Sequence, residues 1–365
     1  MIKAEKLKYK KGTNDQFFQQ LRNDAYRIVD KLVDKRKEEI VFKAILFPAL
    51  YIAAWICVLV WGKNLSILFT AYTLMGILLV LNYLNVIHDA VHYTLFKNRR
   101  LNEIWVYFFD LMGANSYIWK TRHVLYHHNY PNVDGWDTDI DQSTLVKIVP
   151  QGPSSRFHKY QHIYLPFIYP FFLFNWLLIR DFKDFFDKKR IVQKRISIHR
   201  REYLKLFFFK TFYITYTLVI PKIVLGISWG IILLAFTIMI LVASILALLV
   251  LLPPHANIEA EFPSPDNNRI LPYDWFLHML KTTNDINGSN WFTRFVLGNF
   301  NYHIVHHLFP NIHHSYYPEI TERLKLYATN NHLPYRTYPF LTTLKNHYLL
   351  LKHNSTDFNI WEEDM

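Results

Sequence analysis

Four apolar runs, residues 44–61, 65–87, 206–225 and 227–252, stand out against strongly polar stretches on either side. Each is long enough to cross a bilayer as a helix, which takes roughly 17–25 residues. Only Gly62-Lys63-Asn64 separates the first two, and a short stretch around Gly226 the last two, so the pattern predicts two helical hairpins. Pro221 falls near a helix end, where its missing N–H is tolerated, and Lys63 and Lys222 can extend to the far interface. Two shorter runs are ambiguous by hydropathy: 104–118 contains Asp110, and 163–179 contains Pro166 and Pro170. Nearer the N-terminus, Phe17, Leu21, Ala25, Ile28 and Leu32 recur at helical spacing among Arg22, Arg27, Lys31 and Lys35. That spacing predicts an amphipathic helix lying either on a membrane surface or on the protein's own polar part.

Charge orients the pattern. Lys and Arg crowd the residues before 44, the segment 88–204 and the region after 253, and barely occur in the hairpin turns. By the positive-inside rule these three segments face the cytoplasm, with 104–118 and 163–179 in or near the interface. The expected fold is an all-α integral membrane protein: four transmembrane helices in two hairpins under a cytoplasmic helical cap. Its parts are an amphipathic segment 1–43, hairpin 44–87, cytoplasmic segment 88–205, hairpin 206–252 and cytoplasmic segment 253–365. Both termini are then cytoplasmic, and the basic, polar first residues do not read as a signal peptide.

Composition agrees and narrows the chemistry. Hydrophobic residues make up 51% of the 365 and charged residues only 19%, below the soluble average of about 25%. The mean hydropathy of +0.02 means that the apolar blocks alternate with polar ones. A single cysteine, Cys57, excludes a disulfide framework, a thiolate zinc site and an iron–sulfur cluster. No G-x-G occurs, so neither a Rossmann fingerprint nor a P-loop is present, and a nucleotide redox cofactor belongs on another protein. The net charge of +12 suits a nucleic acid or a membrane surface; because the basic residues flank apolar spans, no nucleic-acid partner is expected.

The 18 histidines are the unusual feature. His88 and His92 stand at i and i+4, on one helical face at the cytoplasmic end of the second run. His123, His127 and His128 form H-x-x-x-H-H, and His303, His306 and His307 form H-x-x-H-H. His255 stands alone at the cytoplasmic end of the fourth run. One H-x-x-x-H means little, but three clusters on the same predicted side of the membrane point to a shared site. Adjacent His-His pairs do not easily face one ion, so two pairs suggest two metals. If the clusters meet, an even number of crossings separates any two of them, which keeps 104–118 and 163–179 out of the bilayer's far side. Imidazole suits iron, zinc, copper and nickel, and a ligating ring needs an acceptor for its other N–H. The nearby carboxylates are Asp89, Asp134, Asp137, Asp139 and Asp141, with Glu259 and Glu261 after His255.

In order and spacing these clusters resemble the three histidine boxes of the membrane fatty acid desaturase family. The similarity extends to Trp119-Lys120, Asp137-x-Asp139-x-Asp141, Tyr160-Gln161-His162-Ile163-Tyr164, Asn175-Trp176, Glu261-Phe262-Pro263, Lys281-Thr282-Thr283-Asn284 and His307-Leu308-Phe309-Pro310-Asn311. The set resembles the bacterial acyl desaturases related to linoleoyl-CoA (front-end) desaturases, over about residues 15–325. The resemblance implies two iron ions, O2 as co-substrate and a long-chain acyl substrate in a buried tunnel. Its ligands would be His88, His92, His123, His127, His128, His255, His303, His306 and His307. One iron would take His88, His92, His123, His128 and His303, the other His127, His255, His306 and His307. Beyond these ligands no catalytic side chain is expected, since no general base removes hydrogen from an unactivated methylene.

Several expectations accompany that reading. No His-Pro-Gly-Gly occurs, so electrons are expected from a separate ferredoxin or cytochrome b5 type donor docking on the cytoplasmic face. Lys120 and Arg122, with Trp119, could meet a coenzyme A or phosphate headgroup, or Lys120 and Arg122 could simply anchor the cytoplasmic side. The membrane is expected to be a bacterial inner membrane, with the metal site cytoplasmic. Alternatives are a di-iron hydroxylase or ketolase on a lipid, alkane or carotenoid, and a non-enzymatic membrane metal transporter or haem carrier. His313, His314 and the other histidines outside the boxes are read as ordinary polar residues.

Overall fold

The computed structural model describes residues 6–12, 15–140 and 143–356. It is almost entirely helical. The first helix, α1 (Asp15–Trp61), runs unbroken for 47 residues, about 70 Å at 1.5 Å per residue. Its N-terminal part settles one open expectation: Leu21 and Ala25 are fully buried, and the Phe18 ring packs 4.9 Å from Trp275 and 5.7 Å from Phe309. The amphipathic stretch therefore packs on the protein's own C-terminal part and continues straight into the apolar half of α1.

Three further long helices complete a bundle: α2 (Leu65–Val91), α5 (Arg200–Leu225) and α6 (Trp229–Leu251). Asn64 caps the start of α2 by accepting from the amides of Ser66 and Ile67. Gly226, at φ 67°, closes α5 in the left-handed region that glycine enters freely. Gly76 marks the closest approach of α2 and α6: a Cβ there would stand 2.3 Å from the Met239 carbonyl oxygen. Polar anchors fix the register of α1, with Asn82 Nδ2 donating to Phe47 O at 3.0 Å and Trp55 Nε1 to Tyr216 O at 2.9 Å.

Between α2 and α5 lie α3 (Arg99–Leu111), α4 (Ser116–Lys120) and the kinked stretch Arg156–Arg195. The apolar run 104–118 thus divides into a 13-residue helix too short to span and a turn leading into α4. Asp110 sits at that turn and accepts from the Ser116 amide at 3.1 Å. Among the described residues five helical stretches are long and apolar enough to cross a membrane: α1, α2, Arg156–Arg195, α5 and α6. The sequence pattern counts four. The fifth differs in kind, being broken by tight turns at Arg156–Tyr160 and Tyr169–Phe171 and by a wide turn at Trp176–Arg180. It docks on α6 through the Leu173 amide and Ser244 Oγ, 3.1 Å apart.

After α6 the chain continues through α7 (Trp275–Thr282), α8 (His303–Leu308), α9 (Tyr317–Asn330) and α10 (Phe340–Thr356). Two parallel two-residue ladders tie its ends: β1 (Lys8–Tyr9) with β2 (Ile270–Leu271), and β3 (Asp285–Ile286) with β4 (Thr337–Tyr338). One apolar core runs from α1 through the bundle to α8 and α9, so the histidine segments rest directly on the membrane helices.

Candidate metal centre

The nine cluster histidines converge from four places in the fold. His88 comes from the last turn of α2 and His92 from the residue that caps it, His255 from the turn after α6, and His303, His306 and His307 from α8. His123, His127 and His128 lie on or just after a wide helical turn, Thr121–His127, in which the His128 amide bonds to His123 O, five residues back. That i→i+5 spacing changes which residues share a face. His123 pairs with His128, and His127 points elsewhere.

The ring nitrogens gather into two groups whose atoms lie within 4.8 Å of one another: His88, His92, His123, His128 and His306; and His127, His255, His303 and His307. The sequence expectation placed His303 in the first and His306 in the second, and the structure exchanges them. The reason is elementary: α8 is a regular α-helix, so His303 and His307, at i and i+4, face one way and His306 the other. All but the half-buried His92 are buried.

These donor sets fit metal ions. In the first group His88 Nε2 and His128 Nε2 each stand 3.1 Å from His123 Nε2. In the second, His303 Nε2 and His307 Nε2 stand 2.8 and 3.0 Å from His255 Nε2. Nitrogens about 2.1 Å from a common ion and at right angles would be about 3 Å apart. His92 Nε2 and His306 Nε2 are buried with no hydrogen-bond partner, as a lone pair kept for a cation would be.

Electrostatics keep most of these rings neutral, the form that ligates. Burial, reinforced by neighbouring imidazoles, holds His92, His128, His255, His303, His306 and His307 well below the ordinary histidine range. Burial lowers His123 as well, against the pull of Asp139. His127 moves the other way: burial opposes its charge, but Asp137 and Asp139 outweigh it.

The expected carboxylates separate cleanly. Asp137 Oδ1 accepts from His127 Nδ1, and Asp139 Oδ2 from His123 Nδ1, each at 2.9 Å, which leaves both Nε2 atoms facing inward. Asp89 instead accepts from His314 Nδ1 at 2.6 Å and touches no cluster ring. Glu261 pairs with Lys281 at 2.9 Å, and Glu259 is exposed. Asp134 is exposed too, and Asp141 lies outside the described residues. The headgroup expectation fails for Arg122, which is fully buried and donates to Asp184 Oδ2 at 2.7 Å, its guanidinium over the Trp176 ring. Lys120 donates to Tyr93 OH at 2.6 Å, and only Trp119 of the three lines the cavity described next.

A residue that belongs to no sequence motif organises the second group. Asn132, at φ 58°, offers its amide to Asp137 Oδ2 at 2.8 Å, and its Nδ2 lies 3.1 Å from the carbonyls of His255, Glu261 and Thr282. Its one sequence signal is the turn-rich Asn132-Val133-Asp134-Gly135, since Asn tolerates the left-handed region. Asp285 does similar work for α8: it accepts from the Ile304 amide at 2.8 Å and from Tyr335 OH at 2.7 Å, and burial pushes its carboxyl up to about 7.

A cavity of about 370 Å³ opens beside the imidazoles. His123, His127, His255 and His303 line one end of it, together with Trp119, which stacks on the His123 ring at 4.9 Å. Most of the rest is apolar, built from the kinked stretch (Leu165, Ile168, Phe172, Trp176) and the end of α6 (Ala247, Leu251), with Asp139, Asn175 and Arg180 among the few polar residues. A smaller cavity of about 30 Å³ adjoins it behind Tyr83 and Trp176, lined by Met112 and Leu79. At the other side Leu145, Phe171 and Ile179 line the cavity and are exposed.

Comparison with known proteins supplies the family. The fatty acid desaturase family model matches residues 65–339. The chain is 30% identical over 305 residues to an sn-1 linoleoyl-lipid 6-desaturase of Arthrospira platensis, covering 82% of this chain and 81% of that protein. It is 25% identical to an sn-1 linoleoyl-lipid 6-desaturase of Synechocystis sp., covering 96% and 98%. It is 26% identical to an acyl-lipid (8-3)-desaturase of Physcomitrium patens, covering 96% and 74%. With the matched region containing every histidine of both groups, and apolar helices long enough to cross a membrane beneath them, the chain belongs to the fatty acid desaturase family and is a membrane oxidoreductase.

Proposed function

We propose that this enzyme uses O2 to introduce a cis double bond into a long-chain acyl group carried on a membrane lipid. The observation that carries the reading is two buried imidazole groups at the head of an apolar cavity. Acyl-lipid substrates are named for the relatives above, and the cavity's exposed edge supports that choice. Leu145, Phe171 and Ile179 continue outward into Phe167 and Ile163, a strip suited to lipid contact. An acyl chain entering there passes His123, His127, His255 and His303 and runs toward Tyr83, Trp176 and the smaller cavity.

The five-histidine and four-histidine groups would each hold one iron ion. The pair would supply, when bound and reduced, the oxygen activation that no side chain provides. What the protein's own residues do is position and exclude. Asp137 and Asp139 fix the tautomers of His127 and His123. Trp119, Tyr83 and Phe300 wall the cavity beside the imidazoles, confining methylenes near the donor groups and keeping water out. Electrons would come from a separate ferredoxin or cytochrome b5 type donor.

Site geometry also bears on topology. The second cluster and His255 are separated by Arg156–Arg195, α5 and α6. Three crossings would put them on opposite faces, so if α5 and α6 cross, Arg156–Arg195 lies along one interface. That parity and the charge bias support four spans with cytoplasmic termini and a cytoplasmic site, which we read as lying in a bacterial inner membrane.

Expression in a bacterial host, with fatty-acid methyl esters analysed for double-bond position in each lipid class, tests the reading. A new unsaturated acyl chain, lost in His307→Ala, is the expected result. An unchanged profile with iron and reductant supplied overturns it, and retention of one labelled oxygen atom in the product means hydroxylation instead.

A further inference from the structure

We propose that the turn His313–Tyr317, with Lys43, is a positioning clamp for the first imidazole group alone. The proposal rests on reading the two groups as metal sites.

Asp89 lies between His88 and His92 in sequence, yet its side chain turns away from their rings. It accepts from His314 Nδ1 at 2.6 Å, from the His314 amide at 3.3 Å and from Thr94 Oγ1 at 3.1 Å. On the far side of the same ring, His314 Nε2 faces Lys43 Nζ at 3.4 Å. Lys43 is itself buried, 1% exposed, and is held by Arg294 O at 2.9 Å and by Glu39 at 3.5 Å. An ammonium only donates, so His314 accepts on Nε2 and donates from Nδ1. One imidazole thereby joins a helix of the bundle to the turn that carries His88 and His92. Three residues on, Tyr317 OH meets His306 Nδ1 at 3.1 Å, leaving His306 Nε2 directed inward. A single turn thus restrains the supports of His88, His92 and His306, three of the five rings of the first group. Among the described residues it makes no hydrogen bond to the second.

Asp89, His313 and His314 are close enough together to suggest a third metal site. Lys43 argues against it: a dication there would stand against a buried ammonium, and both ring nitrogens of His314 are already engaged. The cluster reads better as scaffolding, with the lysine ammonium in place of a metal ion.

The test uses purified full-length protein in lipid nanodiscs, loaded with Co(II) as a spectroscopic probe and, separately, with Fe(II), then titrated with a chelator. Wild type should release metal in two phases, one per group. His314→Leu should weaken one phase by about ten- to a hundredfold, the usual cost of losing a ligand's outer partner, and leave the other in place. Its cobalt spectrum should change in one component only. Tyr317→Phe, which removes one hydroxyl from an intact turn, should shift the same phase severalfold and carries the test if His314→Leu does not fold. Equal weakening of both phases, or of neither, overturns the clamp. Wild-type protein that binds no metal, or His307→Ala that keeps both phases, would instead defeat the metal reading on which the clamp rests.

Discussion

The two imidazole groups are built from the same residue type within one site, yet they are held by different parts of the molecule. The first hangs on the bundle: His88 and His92 end α2, and Lys43 of α1 reaches the His314–Asp89 pair behind them. The second belongs to the loops and short helices outside the bundle, where Asn132 and Asp137 gather His127, His255 and the C-terminal end of α7 at Thr282. One support is a buried charged network anchored in long helices; the other is a single amide spread over three carbonyls. A membrane helix can deliver a ligand to a fixed depth, but ligands arriving from separate loops need a polar hub to assemble them.

Cutting ligands tests the partition most severely. His306→Ala and His303→Ala should each reduce product to background, and metal analysis should show opposite losses, the first-group ion in one and the second-group ion in the other. Loss of the same ion in both would break the grouping.

Acidification comes next. Rings held neutral by burial have folded pKa values below the ordinary 6.5, so below that pH the unfolded chain binds more protons and stability falls as pH drops. Each such ring costs roughly 1.4 kcal/mol per pH unit. His92, His123, His128 and His306 all contribute in the first group, whereas in the second the raised His127 offsets part of the loss from its three partners. In metal-free protein, hydrogen exchange around the first group should therefore accelerate at higher pH than around the second. The reverse order would contradict the assigned directions.

Asn132→Ala should destabilise the metal-free protein by roughly 2–3 kcal/mol, since it removes the amide shared by the carbonyls of His255, Glu261 and Thr282. A lowered Tm with second-group metal lost first is the expected outcome. Asp137→Ala and Asp139→Ala should each weaken metal binding about ten- to a hundredfold, at the second and first groups respectively, as read by chelator titration. The smallest effect belongs to Glu261→Gln. Its partly exposed pair with Lys281 is worth at most about 1 kcal/mol, and metal content should not change. A change would extend the second group's support beyond Asn132 and Asp137.

The chain's own order of residues carried the helical class, the apolar runs and all nine histidines, because hydropathy and i, i+4 spacing are local properties. It also marked Asp137 and Asp139, which sit a few residues beyond their imidazoles and need only a tight loop to reach them. Other features depended on packing at long range. Arg122 looked like a headgroup ligand by its neighbours, but burial against Asp184, 62 residues away, assigns it to the interior. His313 and His314 looked ordinary until α1 and Asp89, 225 residues distant from His314, closed around them. Asn132 carried no chemical signal because its partners are carbonyls, which every residue has. The division of imidazoles between groups turned on whether each short helix winds with four- or five-residue closure, and tertiary packing decides that, not composition.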